Sequence, residues 1–108
     1  MEEPGELGTV IAERELEILV GGTVAGVARV RMGLPAAEAS GDFTCPVQVA
    51  GLGDDRVRLA WGQDSFVALQ NGLVLIELLL KQLAPGHIDL RWQSGSPGDL
   101  GFPMPRSA

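Results

Sequence analysis

Tyrosine is missing from this chain, and two tryptophans and three phenylalanines are its only large aromatic residues. A protein that reads bases or sugars by stacking needs a cluster of such rings, so the composition argues against a stacking platform. Cations are scarce too: eight Lys and Arg against fourteen Asp and Glu leave a formal charge of −6 at pH 7. Nucleic-acid binding draws on a basic surface that displaces counterions from phosphate, and here the balance runs the other way. Acidity of this kind serves solubility. The lone cysteine, Cys45, rules out an internal disulfide and with it a secreted disulfide scaffold. One cysteine and one histidine, His87, without CxxC or HExxH spacing, point to no metal site, and no cofactor is expected. Gly51-Leu52-Gly53 belongs to neither a GxGxxG fingerprint nor a P-loop, so a phosphate cradle is not expected there.

Long hydrophobic runs are also lacking. The most apolar stretch, Gly72 to Leu80, is interrupted by Glu77 and falls short of the ~20 residues a membrane span requires. Met1 to Glu6 carries glutamates and no apolar run, unlike a signal peptide. These features predict a cytoplasmic protein without a membrane partner.

What is present is a globular mixture, 45% hydrophobic over 108 residues, which is one ordinary core. Thr9 to Val20 alternates, with Glu13, Glu15 and Glu17 on one face and Ala12, Arg14, Leu16, Ile18 and Val20 on the other, the period of a half-buried strand. Gly21-Gly22 suits a tight hairpin into a second strand, Thr23 to Met32. Gly33 to Asp42 reads as a loop. A third strand, Phe43 to Val49, puts Phe43, Cys45, Val47 and Val49 on one face. Pro46 lacks an N–H and predicts an edge position or a bulge there. A fourth strand, Arg56 to Trp61, alternates Val57, Leu59 and Trp61 inward with Arg56, Arg58 and Ala60 outward. Asp64 or Ser65 is placed to cap a helix that runs to about Leu83, where Pro85-Gly86 stops it. His87 to Trp92 is a last short strand, with Ile88, Leu90 and Trp92 inward. The predicted class is α+β: an antiparallel meander of four to five strands in ββββαβ order with one long helix on one face. The core domain is expected over residues 9–93, between a flexible N-terminus (1–8) and a Gly/Pro/Ser-rich tail (94–108).

At about 100° per residue the helix lays Leu69, Gly72, Leu73, Ile76, Leu79, Leu80 and Leu83 on the sheet, with Gly72 permitting close approach. Gln70, Glu77 and Lys81 form one polar stripe, Asn71 and Gln82 another. Between them run Val67, Val74 and Leu78, a second apolar stripe that suits protein contact, most simply a two-fold homodimer. The competing account has the tail fold back through Leu100 and Phe102 to cover it.

The remaining chemistry reads as structural. Cys45 falls on the core face, where a thiol packs as a small hydrophobe. Arg29, Arg31, Arg56 and Arg58 share the open face with the glutamates and are expected to pair with them rather than with phosphates. Arg14 points by parity toward the apolar side. It needs Asp64 or Glu77 as a partner, or else a place at the sheet margin from which it reaches water.

Several motifs carry a resemblance: Ala12-Glu13-Arg14-Glu15-Leu16, Cys45-Pro46 followed by Gly51-Leu52-Gly53, Gly62-Gln63-Asp64-Ser65 with Ala68-Leu69-Gln70, and Asp99-Leu100-Gly101-Phe102-Pro103. Through them the chain resembles a family of small bacterial proteins of unknown function over most of its length. The resemblance implies no activity and lends no catalytic residues; it marks Cys45-Pro46 and Asp64 to Gln70 as family signatures. Asn71-Gly72 departs from the more regular Leu/Ala helix the family leads one to expect. The functional expectation is a non-catalytic protein-binding or assembly module, with an immunity-like role suggested by size and charge alone. The alternative is a small-molecule binder or enzyme with a pocket at the helix N-terminus, lined by Trp61, Asp64, Gln70 and His87. That alternative requires Asp64 and His87 to converge.

Overall fold

The computed structural model describes residues 6–93, 95–98 and 100–101. Six strands and one helix follow in the order β1 (Val10–Val20), β2 (Thr23–Gly33), β3 (Ala36–Ala37), β4 (Phe43–Ala50), β5 (Val57–Gly62), α1 (Ser65–Leu83) and β6 (Ile88–Trp92). The α+β class and the helix-on-sheet architecture are as the sequence predicts. All strand pairs are antiparallel: β6 pairs β1, β1 pairs β2, β2 pairs β4 and β4 pairs β5. The meander is intact, and the last strand returns to the side of the first.

The expected loop over Gly33 to Asp42 contains the two-residue β3, which pairs Ala36 with Thr44 and Ala37 with Phe43. This addition explains Pro46. β4 is an interior strand without a register shift against β5, so neither the predicted edge nor the predicted bulge exists. On its other side β3 covers Phe43 and Thr44 and β2 covers Val47 to Ala50, which leaves Cys45 and Pro46 between the two ladders. A residue without an N–H is tolerated in such a gap. The Cys45 thiol helps close it, donating to the Gly33 carbonyl at 3.7 Å.

The β5 faces are the reverse of the sequence expectation. Cys45 stands opposite Ala60 and Val47 opposite Arg58, and residues directly opposite in an antiparallel pair share a face. Ala60, Arg58 and Gly62 therefore lie under the helix, and Val57, Leu59 and Trp61 turn to the open face. The cause is steric. A Cβ on Gly62 would sit 2.7 Å from the Val67 carbonyl carbon and 2.8 Å from Ala68 Cα, so the first turn of α1 rests directly on the strand. Small residues belong there, and Trp61 does not fit.

Asp64 caps α1 in extended geometry, its carboxylate accepting from the Val67 N–H at 2.8 Å. Gly72 meets the sheet as closely as its lack of a side chain allows: an added Cβ would lie 3.1 Å from Met32 Cε and 3.2 Å from Cys45 Sγ. The helix buries Ala68, Gly72, Ile76, Leu79 and Leu80 on a core that includes Leu16, Ala28, Val30, Met32, Cys45, Val47, Val49 and Leu90. Ala68 joins the predicted set, while Leu69, Leu73 and Leu83 are only partly buried. Val20, predicted inward, is exposed at the hairpin end. By length and composition α1 does reach the apolarity of a membrane span, with a hydropathy of 1.4, contrary to the expectation from Gly72 to Leu80 alone. Much of that aliphatic content serves the sheet.

The contrast between two glycines gives a test. Gly62→Ala forces a methyl into helix backbone and is expected to cost about 2–3 kcal/mol, in the range of severe overpacking. Gly86→Ala meets nothing within 4 Å and should stay within about 0.5 kcal/mol of the wild type. Urea denaturation of the two variants measures the difference.

Candidate protein-contact surface

The side of α1 opposite the sheet carries the second apolar stripe. Val74 and Leu78 are 45% and 50% exposed, and Val67 is half-buried. Phe66, in the first turn and absent from the predicted set, is 77% exposed. Gln70 and Lys81 on one flank and Asn71 and Gln82 on the other are exposed, and Glu77 is half-buried. Asn71 turns toward β5 and donates from Nδ2 to the Trp61 carbonyl at 2.7 Å. The opposite flank faces β1: Leu73 and Ile76 line a cleft of about 110 Å³ with Ala12, Arg14, Val30 and Met32.

The tail does not cover the stripe with its described residues. After Trp92 the chain turns back, with Gly95 N donating to Trp92 O and Gly98 N to Leu90 O, each at 2.9 Å. Leu100 packs on the core. Arg14 holds this segment: its Nη1 donates to the Leu100 carbonyl at 3.3 Å and to the Gly101 carbonyl, and its guanidinium lies 5.2 Å from the Trp92 ring centre. Of the two readings of Arg14, neither Asp64 nor Glu77 pairs with it; it lies at the sheet margin, beyond the β1–β6 ladder, and backbone carbonyls and an indole face are among the groups that receive the cation. Phe102, the other residue of the tail account, lies outside the described residues.

The four residues of the expected pocket do not converge. Asp64 caps the start of α1, and His87 is exposed beyond its end. The 19-residue helix between them is about 28 Å long at 1.5 Å per residue. Trp61 lies on the open face of β5, 46% exposed, and Gln70 is on the outer flank of α1. A hollow of about 510 Å³ beside β1 is lined by Glu13, Arg14, Glu15, Leu16, Glu17, Val27, Trp92 and Gln93, and includes none of them. Among the described residues no group of three or more His, Cys, Asp or Glu is placed to hold a metal ion.

On the open face the expected Glu–Arg pairing forms at Glu13 and Glu15, while Glu17, Arg56 and Arg58 take other partners. Glu13 meets Arg31 at 2.7 Å, Glu15 meets Arg29 at 3.0 Å, and Glu17 meets Arg91 of β6 at 2.8 Å. Arg56 and Arg58 instead converge on Asp54, at 2.9 and 2.8 Å. The hydrogen bonds from Arg56, with a smaller contribution from Arg58, hold the Asp54 carboxyl well below the usual carboxylate range. Exposed pairs of this kind contribute little each, ~0–1 kcal/mol. They leave few arginines for phosphate.

The DUF6968 family, a domain of unknown function, matches residues 12–104. The chain belongs to that family. No curated protein and no solved structure matched it. The match to the DUF6968 domain runs from β1 through the tail segment that Arg14 holds, so the family's extent includes Leu100 as well as the sheet and helix. The sequence pattern missed Phe66 and the outward turn of Leu59 and Trp61. The second was signalled by Ala60 and Gly62, the small residues that a helix start requires beneath it.

Two measurements follow. Cys45 is fully buried, and burial pushes its thiol above the ordinary value of 9.0. Its thiolate is disfavoured in the fold, so stability should fall as pH rises past 9, less so in Cys45→Ala. A thiol reagent at pH 8 should label the native chain far more slowly than the urea-unfolded chain. Arg14→Met should lose about 1–3 kcal/mol as the carbonyl bonds disappear, read by denaturation followed through tryptophan fluorescence.

Proposed function

We propose that this DUF6968 domain is a non-catalytic protein-contact module that assembles through the outward face of α1. The supporting observation is the exposure of Val74 and Leu78, aligned with Val67 between polar flanks, on the side of the helix that the sheet does not use. Apolar side chains grouped between polar flanks, rather than scattered singly, mark contact surfaces. The simplest partner is a second copy related by a two-fold axis, since one patch then serves both sides. The pocket alternative loses its support with the separation of Asp64 from His87.

Solution mass as a function of concentration tests the reading. The wild type is expected to form a dimer and Leu78→Glu, which places a carboxylate in the stripe, a monomer of unchanged fold by circular dichroism. A wild type that stays monomeric up to high micromolar concentration removes self-association as the function of this face.

A further inference from the structure

α1 rests mainly on β4 and β5, so the core face of β1 and β2 extends past the helix. Part of that margin is closed by Leu100, which packs on the core while Arg14 binds its carbonyl. The part beyond Arg14 is open. Ala12 stands opposite the buried Met32 on the core face yet is itself exposed, and Leu73 of α1 is only half-buried. These side chains, with Glu13, Arg14, Val30 and Ile76, line the cleft of about 110 Å³ between α1 and β1. An engineered apolar cavity of about 150 Å³ accepts a benzene ring. The cleft is therefore the size of one large side chain seated partly at its rim.

We propose that Phe102 of the chain's own tail fills this cleft, as a strap that completes the core over β1. Phe102 lies outside the described residues, but the structure sets the point from which it starts. Gly101 is wedged between Arg14 and the Trp92 ring, where an added Cβ would lie 2.6 Å from each. Arg14 Nη1 donates to the Gly101 carbonyl, whose carbon is bonded to the Phe102 nitrogen. One hydrogen bond and one peptide unit thus separate Phe102 from a guanidinium that itself lines the cleft. The Phe102 Cα stands within about 6 Å of that nitrogen. A side chain tethered at this distance is present at high effective concentration, an advantage that no free partner has.

The chemistry of the site suits this occupant. Pro103 disfavours helical backbone at the residue before it, so Phe102 offers a single side chain rather than the start of a helix. A ring in the cleft gives the Arg14 cation a second aromatic neighbour besides Trp92. The family match runs to residue 104, past Gly101, and takes in Phe102. The cleft is on the β1 flank of α1, opposite the flank from which Asn71 reaches the Trp61 carbonyl. A ring seated there leaves Val74 and Leu78 exposed, so the strap does not depend on the contact reading of the outward face.

Nuclear magnetic resonance on the full chain tests the strap. The Phe102 ring is expected to show nuclear Overhauser contacts to the Ala12 and Ile76 methyl groups and to shift both by its ring current. Phe102→Leu, which keeps an apolar side chain, should abolish those shifts and leave the Val74 and Leu78 methyl signals in place. Phe102→Ala should lower the urea midpoint by about 1 M, as removal of a buried ring requires. Contacts from the ring to Val67, Val74 or Leu78 overturn the proposal, because the tail then covers the outward stripe. So do cleft contacts that come from Met104, or from a second copy in a mixed-label sample. Ala12 and Ile76 shifts that Phe102→Leu leaves unchanged, or an unaltered midpoint in Phe102→Ala, overturn it as well.

Discussion

The structure depends on how closely α1 lies on β4 and β5. Two glycines set that distance: Gly62 under the first turn and Gly72 over Met32, Cys45 and Val47. With side chains at those points the helix would have to lift, and Ala68, Ile76, Leu79 and Leu80 would lose their contacts with the strands. Packing at native density turns a gap of even half an ångström into lost dispersion along the whole face. The orientation of β5 follows from the same seating, since a strand beneath a helix start must turn its small residues upward. Trp61 and Leu59 then face the open side.

A helix seated over β4 and β5 leaves the β1–β6 side of the core to be closed differently. Arg14 does this by binding the chain's own carbonyls. Its guanidinium reaches the Leu100 and Gly101 carbonyls and lies over Trp92, which fixes Leu100 against the core. An arginine at an apolar position is costly without acceptors, and the returning segment supplies two of them. Gly101 suits it, because a Cβ there would press on the Arg14 guanidinium and the Trp92 ring. Gly101 also has a φ of 73°, which glycine adopts without strain.

Most of the fold was legible because its signals are local. Alternation marked β1, β2 and β6, the Asp64 cap and Pro85-Gly86 bounded the helix, and the outward stripe was visible from helical spacing. What was not legible depends on pairing between distant segments. Pro46 looked like an edge marker because its tolerance in the interior comes from a gap between β2 and a two-residue β3, too short to carry a pattern. The β5 faces were inverted because apolar alternation at Val57, Leu59 and Trp61 outweighed the quieter cue of Ala60 and Gly62. The Arg14 contacts with the Leu100 and Gly101 carbonyls were not legible because those acceptors lie 86 and 87 residues away, and every residue type offers a backbone carbonyl. The pocket idea failed on length, since the residues it joined stand at opposite ends of one helix.

The inversion of β5 also changes how the outer surface should be weighed. Had Val57, Leu59 and Trp61 faced the helix, β5 would present arginines on its open face and resemble the charged lattice of β1 and β2. Instead Arg56 and Arg58 converge on Asp54, within a few residues of chain, and Val57, Leu59 and Trp61 stay on the open face beside an edge whose Trp61 carbonyl is already held by Asn71. Glu13, Glu15 and Glu17 make the other end of the sheet a poor partner for its own copy, because their pairing with arginines is satisfied within one molecule. The outer surface of α1 and the open face of β5 therefore stand apart: Val74 and Leu78 point away from the sheet, and Asn71, on the polar flank between them and the strand, ties the helix to β5 through the Trp61 carbonyl.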